Sequence, residues 1–162
     1  MTDPSPQMAF ESELAKTSCL PVLAGEEKEA IIVELVDLVV RDGKIPKNDR
    51  DLTVRALLER EEKMSTGMQD GVAIPHGKTA RAEGLTTALA LKTSGVDFDS
   101  LDGEPSRIFV MTVAPDGEGG THIKFLAEVS KLLGRAEVRE ELLAADTPEA
   151  MRAVLLSASH EP

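Results

Sequence analysis

Three short apolar runs, Val72 to Ile74, Thr86 to Leu91 and Ile108 to Val113, occupy the middle of the chain, and segments with helical patterning flank them on both sides. Each run is bounded by glycine, proline or acidic turn residues, as strands are. A sheet made of such runs needs both faces covered, and the flanking amphipathic segments are the material available. The expected fold is therefore α/β: a mixed, partly antiparallel β-sheet flanked by helices on both faces.

The flanking segments can be read individually. From Glu26 to Arg41, apolar residues at 31, 32, 35, 38 and 39 keep helical spacing, and Gly43 follows the end. A second helix is expected to start at a capping Asn48 and run through Leu52, Ala56 and Leu57 towards Glu61, with Arg60 in its last turn. After the Pro-Asp-Gly-Glu-Gly-Gly loop, Thr121 is the expected cap of a helix with an apolar stripe at 125, 126, 129, 132 and 133. Shorter helices are expected over 137–145 and, after the Thr147-Pro148-Glu149 start signal, from Pro148 to about Ser157. Residues 1–7 and 158–162 read as flexible ends around a single domain over 8–157.

The 162 residues suffice for one ordinary core. The formal net charge of -11 disfavours nucleic acid and anionic membrane surfaces, and a basic protein partner suits it better. The longest apolar stretch, Ile31 to Val40, is broken by Glu34 and Asp37, so no membrane span is expected. Cys19 is the only cysteine, which excludes an internal disulfide, and the opening residues lack a signal-type pattern. These features point to a cytoplasmic protein.

Chemistry concentrates at two histidines. His76 ends the run Gly-Val-Ala-Ile-Pro-His-Gly, where Pro75 is expected to stop a strand and present the next imidazole beside a glycine. A histidine so placed is a candidate nucleophile, general base, metal ligand or plain loop residue. His122 falls in helical phase with Leu126, Val129 and Leu133, which turns it inward at the amino-terminal end of its helix. Free N–H groups and partial positive charge there favour an anion and disfavour a protonated ring.

Several reaction classes lack their parts. No Gly-x-Ser-x-Gly elbow supports a serine hydrolase, and the Pro-Asp-Gly-Glu-Gly-Gly loop lacks the Lys-Ser/Thr ending of a phosphate-binding loop. The third histidine, His160, lies in the tail, so no metal site is expected. No cofactor is called for either. Phosphoryl transfer between imidazoles asks for less: a neutral ring nitrogen is already nucleophilic at pH 7, provided one tautomer is held and donors surround the phosphoryl oxygens. His122, Arg60 and the helix terminus are the candidate donors.

At this point the chain resembles the fructose-mannitol class of phosphotransferase-system IIA components, including its nitrogen-regulatory branch. The resemblance rests on ALLEREEKMSTGMQDGVAIPHGK at 56–78, VDFDSLDGEP at 96–105 and THIKFLAEVSKLL at 121–133. It implies that His76 is the phosphoryl acceptor, that His122 stabilises the phosphoryl group and that Arg60 contacts it. Lys78 stands where many relatives have arginine and is given a supporting role, since a lysine attracts phosphate as a point charge without a planar fork. Ser65 and Thr66 are candidates either for donating to phosphate oxygens or for forming a turn.

The resemblance further implies an HPr-like phosphocarrier protein as donor and a cysteine on a IIB protein or domain as acceptor. The membrane would be reached only indirectly, through a transporter subunit. Cys19 matches no IIB signature. Two roles follow: a relay in sugar uptake, or a regulatory protein whose phosphorylation state controls partner binding.

Overall fold

The computed structural model describes residues 6–117 and 119–161. Six helices and five strands occur among them, in the order α1 (Pro6–Lys16), β1 (Ser18–Leu20), α2 (Lys28–Arg41), α3 (Arg50–Lys63), β2 (Val72–Ala73), β3 (His76–Thr79), β4 (Thr86–Val96), β5 (Ser106–Pro115), α4 (Gly119–Leu133), α5 (Ala136–Ala144) and α6 (Pro148–Ser159). The strands form one mixed sheet in the order β1-β4-β5-β2, with β3 also paired to β5. β4 and β5 are antiparallel, whereas β1 on β4 and β2 and β3 on β5 are parallel.

Strand alternation divides the core into two layers. Ala73, Phe109, Met111 and Val113 face α2 and α3 and pack with Ile31, Leu35 and Leu57. Val72, Ile108 and Val110 face the other way, against Phe10 of α1, Phe125 and Val129 of α4, Leu142 of α5 and Leu155 of α6. The mixed sheet with helices on both faces is thus the architecture anticipated from the sequence.

Pro75 interrupts the edge of this sheet without ending it. Val72 is in register with Ile108 and His76 with Thr112, the same offset on either side of the gap. Proline has no N–H to give the ladder, yet its carbonyl still accepts from Thr112 N at 3.0 Å, and the register carries through. The expectation that the strand stops at Pro75 is corrected accordingly: His76 opens β3.

Two helix starts also differ from expectation. Asn48 does not cap α3; it lies in a 3-10 turn at Lys47–Asp49, and Asp49 occupies the cap position without a side-chain cap bond. Asp49 instead pairs with Arg81 at 3.2 Å. α4 begins at Gly119, so Thr121 is inside its first turn; the Thr121 side chain lies outside the described residues. Thr147 does cap α6, accepting from Ala150 N at 3.0 Å. α1 and β1 escaped the sequence reading because, among its described side chains, α1 buries only Phe10 and Leu14, and β1 is three residues long.

Candidate functional site

The register of the edge strand determines what surrounds His76. Residues 72, 74, 76 and 78 share the face towards α4, and so do 108, 110 and 112 of β5, so the side chains of His76 and Thr112 stand side by side. Thr112 Oγ1 lies 2.5 Å from His122 Nε2, which fastens the first turn of α4 over the same point. The two imidazoles consequently meet edge to face, with ring centroids 5.6 Å apart. His122 is buried at 3% exposure, in phase with Phe125, Val129 and Leu133 as its helical position requires.

One hydrogen bond selects the tautomer of His76. Its Nδ1 lies 2.8 Å from the carbonyl oxygen of Ile74, two residues earlier. A carbonyl can only accept, so Nδ1 carries the proton and Nε2 keeps its lone pair. Among the described residues no hydrogen bond engages Nε2. The ring is half-buried, which leaves that nitrogen approachable.

Electrostatics hold both rings neutral. Burial lowers the His76 pKa, the bond to Ile74 opposes that shift, and the charges of Arg60 and Lys78 push it down further, with Glu61 pulling the other way. Burial lowers His122 further, to about 4, with His76 and Lys78 adding to the effect. At pH 7 the site therefore holds two uncharged imidazoles beside fixed cations.

The cations come from different elements. Arg60 is in the last turn of α3, where its Nη1 donates to Met64 O at 2.7 Å, one of the carbonyls a helix leaves unpaired at its end. Lys78 lies two residues beyond His76 on β3, on the same face and exposed. Ser65 and Thr66 lie in the loop between α3 and β2, where their hydroxyl protons are committed: Ser65 Oγ donates to Phe98 O at 2.6 Å and Thr66 Oγ1 to Glu61 Oε2 at 2.5 Å. Gly67 allows this loop to lie against residues 98–100, since a Cβ there would come within 2.6 Å of Phe98 O.

Two contributors were not singled out in the sequence. Thr112 is a lone hydroxyl in the apolar run of β5, two positions from Val110 on the same face. Glu61 shares the buried stripe of α3 with Thr53 and Leu57, at four-residue spacing, while Leu52 is exposed. An acid in phase with a buried stripe was the available signal. Among the described residues no cluster of three or more His, Cys, Asp or Glu side chains is placed to hold a metal ion, and no helix is long and apolar enough to cross a membrane.

A mixed sheet layered by helices is the architecture this chain shares with solved IIA-type structures. The chain belongs to the family described as "Phosphoenolpyruvate-dependent sugar phosphotransferase system, EIIA 2", whose profile it matches over residues 15–158. It is 40% identical over 129 residues to the PTS system fructose-specific EIIABC component of Bacillus subtilis, a match covering 80% of this chain and 20% of that protein, so the chain spans a fifth of that relative's length. It is 38% identical over 128 residues to the PTS system fructose-specific EIIA component of Haloferax volcanii, covering 79% and 82% respectively. The crystal structure of nitrogen regulatory protein IIA-Ntr from Neisseria meningitidis superposes with a TM-score of 0.80 at 26% identity, covering 91% of this chain and 99% of that one.

Proposed function

We propose that His76 accepts a phosphoryl group at Nε2 and passes it on. The reading rests above all on the tautomer: with Nδ1–H held by Ile74 O, the Nε2 lone pair is available and needs no general base. In the accepting step the lone pair forms the new N–P bond while the donor's N–P bond breaks, and the donor imidazole retains the electron pair. The negative charge of the phosphoryl group is met by the positive charges of Arg60 and Lys78 and by the first turn of α4. We assign the Thr112 hydroxyl as donor to His122 Nε2, 2.5 Å away, which puts the His122 ring proton on Nδ1 for a phosphoryl oxygen.

The donor we assign is an HPr-like phosphocarrier protein, and the acceptor a cysteine on a IIB protein or domain in sugar uptake, within the cytoplasm. Ser65 and Thr66 contribute by holding the loop beside the site, and Lys78 by its charge. The likeness to a nitrogen regulatory protein favours a second reading, in which phosphorylation of His76 governs partner binding.

Mass spectrometry after incubation with phosphorylated HPr tests the assignment. One acid-labile phosphate is expected, mapping to His76 and absent from His76→Ala. Phosphate on a histidine of that variant would overturn the proposal. Capture of a IIB protein by the phosphorylated form, with loss of phosphate to its cysteine, would separate the relay from the regulatory reading.

A further inference from the structure

The α3 side of the site contains a buried acid whose bonds lead to His76 without touching it. Glu61 is 7% exposed, whereas Glu59 and Glu62 on either side of it are exposed. Its carboxylate takes three donors: Thr66 N on Oε1 at 2.9 Å, Thr66 Oγ1 on Oε2 at 2.5 Å, and Lys28 Nζ on Oε1 at 3.0 Å. Lys28 is itself fixed by Asp99 at 2.9 Å and by the Phe98 ring, 5.0 Å from its centroid.

Thr66 transmits this grip. Its carbonyl accepts from Ile74 N at 3.0 Å, and the Ile74 carbonyl in turn accepts from His76 Nδ1 at 2.8 Å. The residue whose carbonyl selects the His76 tautomer is thus held through its own N–H, one peptide earlier, by a residue that Glu61 clasps twice. The same loop includes Met64, whose carbonyl orients Arg60. Burial of an acid is costly, and a buried carboxylate clasped by three donors makes a rigid anchor.

From these contacts we infer that Glu61 is a positioning residue, which acts through Thr66 and Ile74 to keep the proton of His76 on Nδ1 and through the same loop to aim Arg60. The inference deepens the reading of His76 as phosphoryl acceptor and rests on it. Glu61 neither touches the phosphoryl group nor moves a proton. Its carboxylate does what an outer ring of hydrogen bonds does for a ligating histidine, fixing tautomer and ring direction.

The test is nitrogen-15 NMR of the histidine rings in the full unphosphorylated chain, combined with the initial rate of phosphate uptake from phospho-HPr. In the parent, the His76 signals should show Nδ1 protonated and Nε2 bare. Glu61→Ala should mix the tautomers and slow uptake by roughly 10–100-fold, the range typical when an outer-shell partner is lost. Glu61→Gln can still accept from Thr66 N and donate to Thr66 Oγ1, and should restore the parent's tautomer and a rate within about threefold. A folded Glu61→Ala chain with unchanged His76 signals would overturn the inference.

Should Glu61→Ala not fold, Thr66→Val removes one of the two clasping bonds and leaves the backbone N–H. A measurable shift towards the other tautomer supports the role, and an unchanged signature overturns it. The NMR result stands apart from the functional reading: a parent chain that takes no phosphate would refute the role of His76 as acceptor, while the tautomer still judges Glu61.

Discussion

The two walls of the His76 site are built of opposite materials. On the α3 side, Arg60, Glu61, Lys28, Ser65 and Thr66 form a lattice of hydrogen bonds and ion pairs around a short loop. On the α4 side, His122 sits over an apolar layer that includes Phe125 and Val129, and Thr112 is its hydrogen-bond partner. The first wall carries permanent charge and spends its polar groups on aiming it. The second uses burial to keep a ring uncharged until something negative arrives. The proposed transfer, in which a dianion is bound and then released, would benefit from both: a fixed cation attracts the charge, and a neutral donor adds stabilisation without locking the group in place.

The largest difference between the walls should appear on removing the fixed charge. Arg60→Ala is expected to slow uptake of phosphate from phospho-HPr by about 10²–10³-fold, the usual loss when an aimed charge is removed from a transferring group. Arg60→Lys should regain only part of this, because an ammonium cannot both hold Met64 O and reach a phosphoryl oxygen with a second, rigidly placed donor. Rates of acid-labile labelling measure this directly. A loss below about threefold would place the working cation elsewhere, with Lys78 next in line.

Removal of the neutral donor should have a smaller effect, and a different one. His122→Ala should still accept phosphate on His76 but pass it to a IIB cysteine about 10–100-fold more slowly, since the vacated wall no longer supports the charge as it leaves. Equal onward rates for variant and parent would remove His122 from the reaction. If uptake rather than release were the step impaired, the two walls would act alike and the contrast between them would fail.

How much of this was legible in the sequence differs between the walls in the same way. The α4 wall could be read from periodicity, because apolar phase alone turns His122 inward, and its burial agrees. The α3 wall could not, because the loop from Met64 to Gly67 has no period, and its order comes from pairings with Ile74, just beyond β2, and with Phe98 far along the chain. Likewise, Pro75 signalled the end of a strand by its missing N–H, but the constant offset to β5 on either side of it is a tertiary fact. Glu61 was hidden for a third reason: acids in helices are ordinarily on the solvent side, and only the phase with Thr53 and Leu57 hinted otherwise.

Acid should distinguish the buried wall from the charged one. The His122 pKa is lowered to about 4 by burial, with His76 and Lys78 adding to it, against about 6.5 in an unfolded chain. At pH 7 the ring is neutral in both states and contributes no pH dependence. As pH falls through about 6.5 the unfolded chain takes up a proton that the folded site refuses, so stability should decline down to about pH 4, by on the order of 3 kcal/mol. Urea unfolding of the parent and of His122→Gln, followed by circular dichroism between pH 7 and 4, isolates this contribution from the carboxylates. His76, lowered in the same direction, adds to the slope in both chains. Parallel stability curves would mean that His122 is protonated as easily in the fold as outside it.

The smallest expected effect concerns Ser65, and it tests whether the polar wall is a scaffold or a set of phosphate donors. Its hydroxyl donates to Phe98 O at 2.6 Å and accepts from Gly67 N at 3.0 Å, so both capacities are in use. Ser65→Ala should therefore cost about 1 kcal/mol of stability, the usual net value of such bonds, because Phe98 O and Gly67 N both lose a partner in a half-buried place. Phosphate uptake should fall by less than about threefold, since Arg60 and Thr66 keep their own anchors at Met64 O and Glu61. The opposite pattern, unchanged stability with a rate loss above about tenfold, would mean that the hydroxyl turns from Phe98 to the phosphoryl group during transfer. In that event the α3 wall rearranges in the reaction, and its lattice of bonds describes a resting state rather than a fixed support.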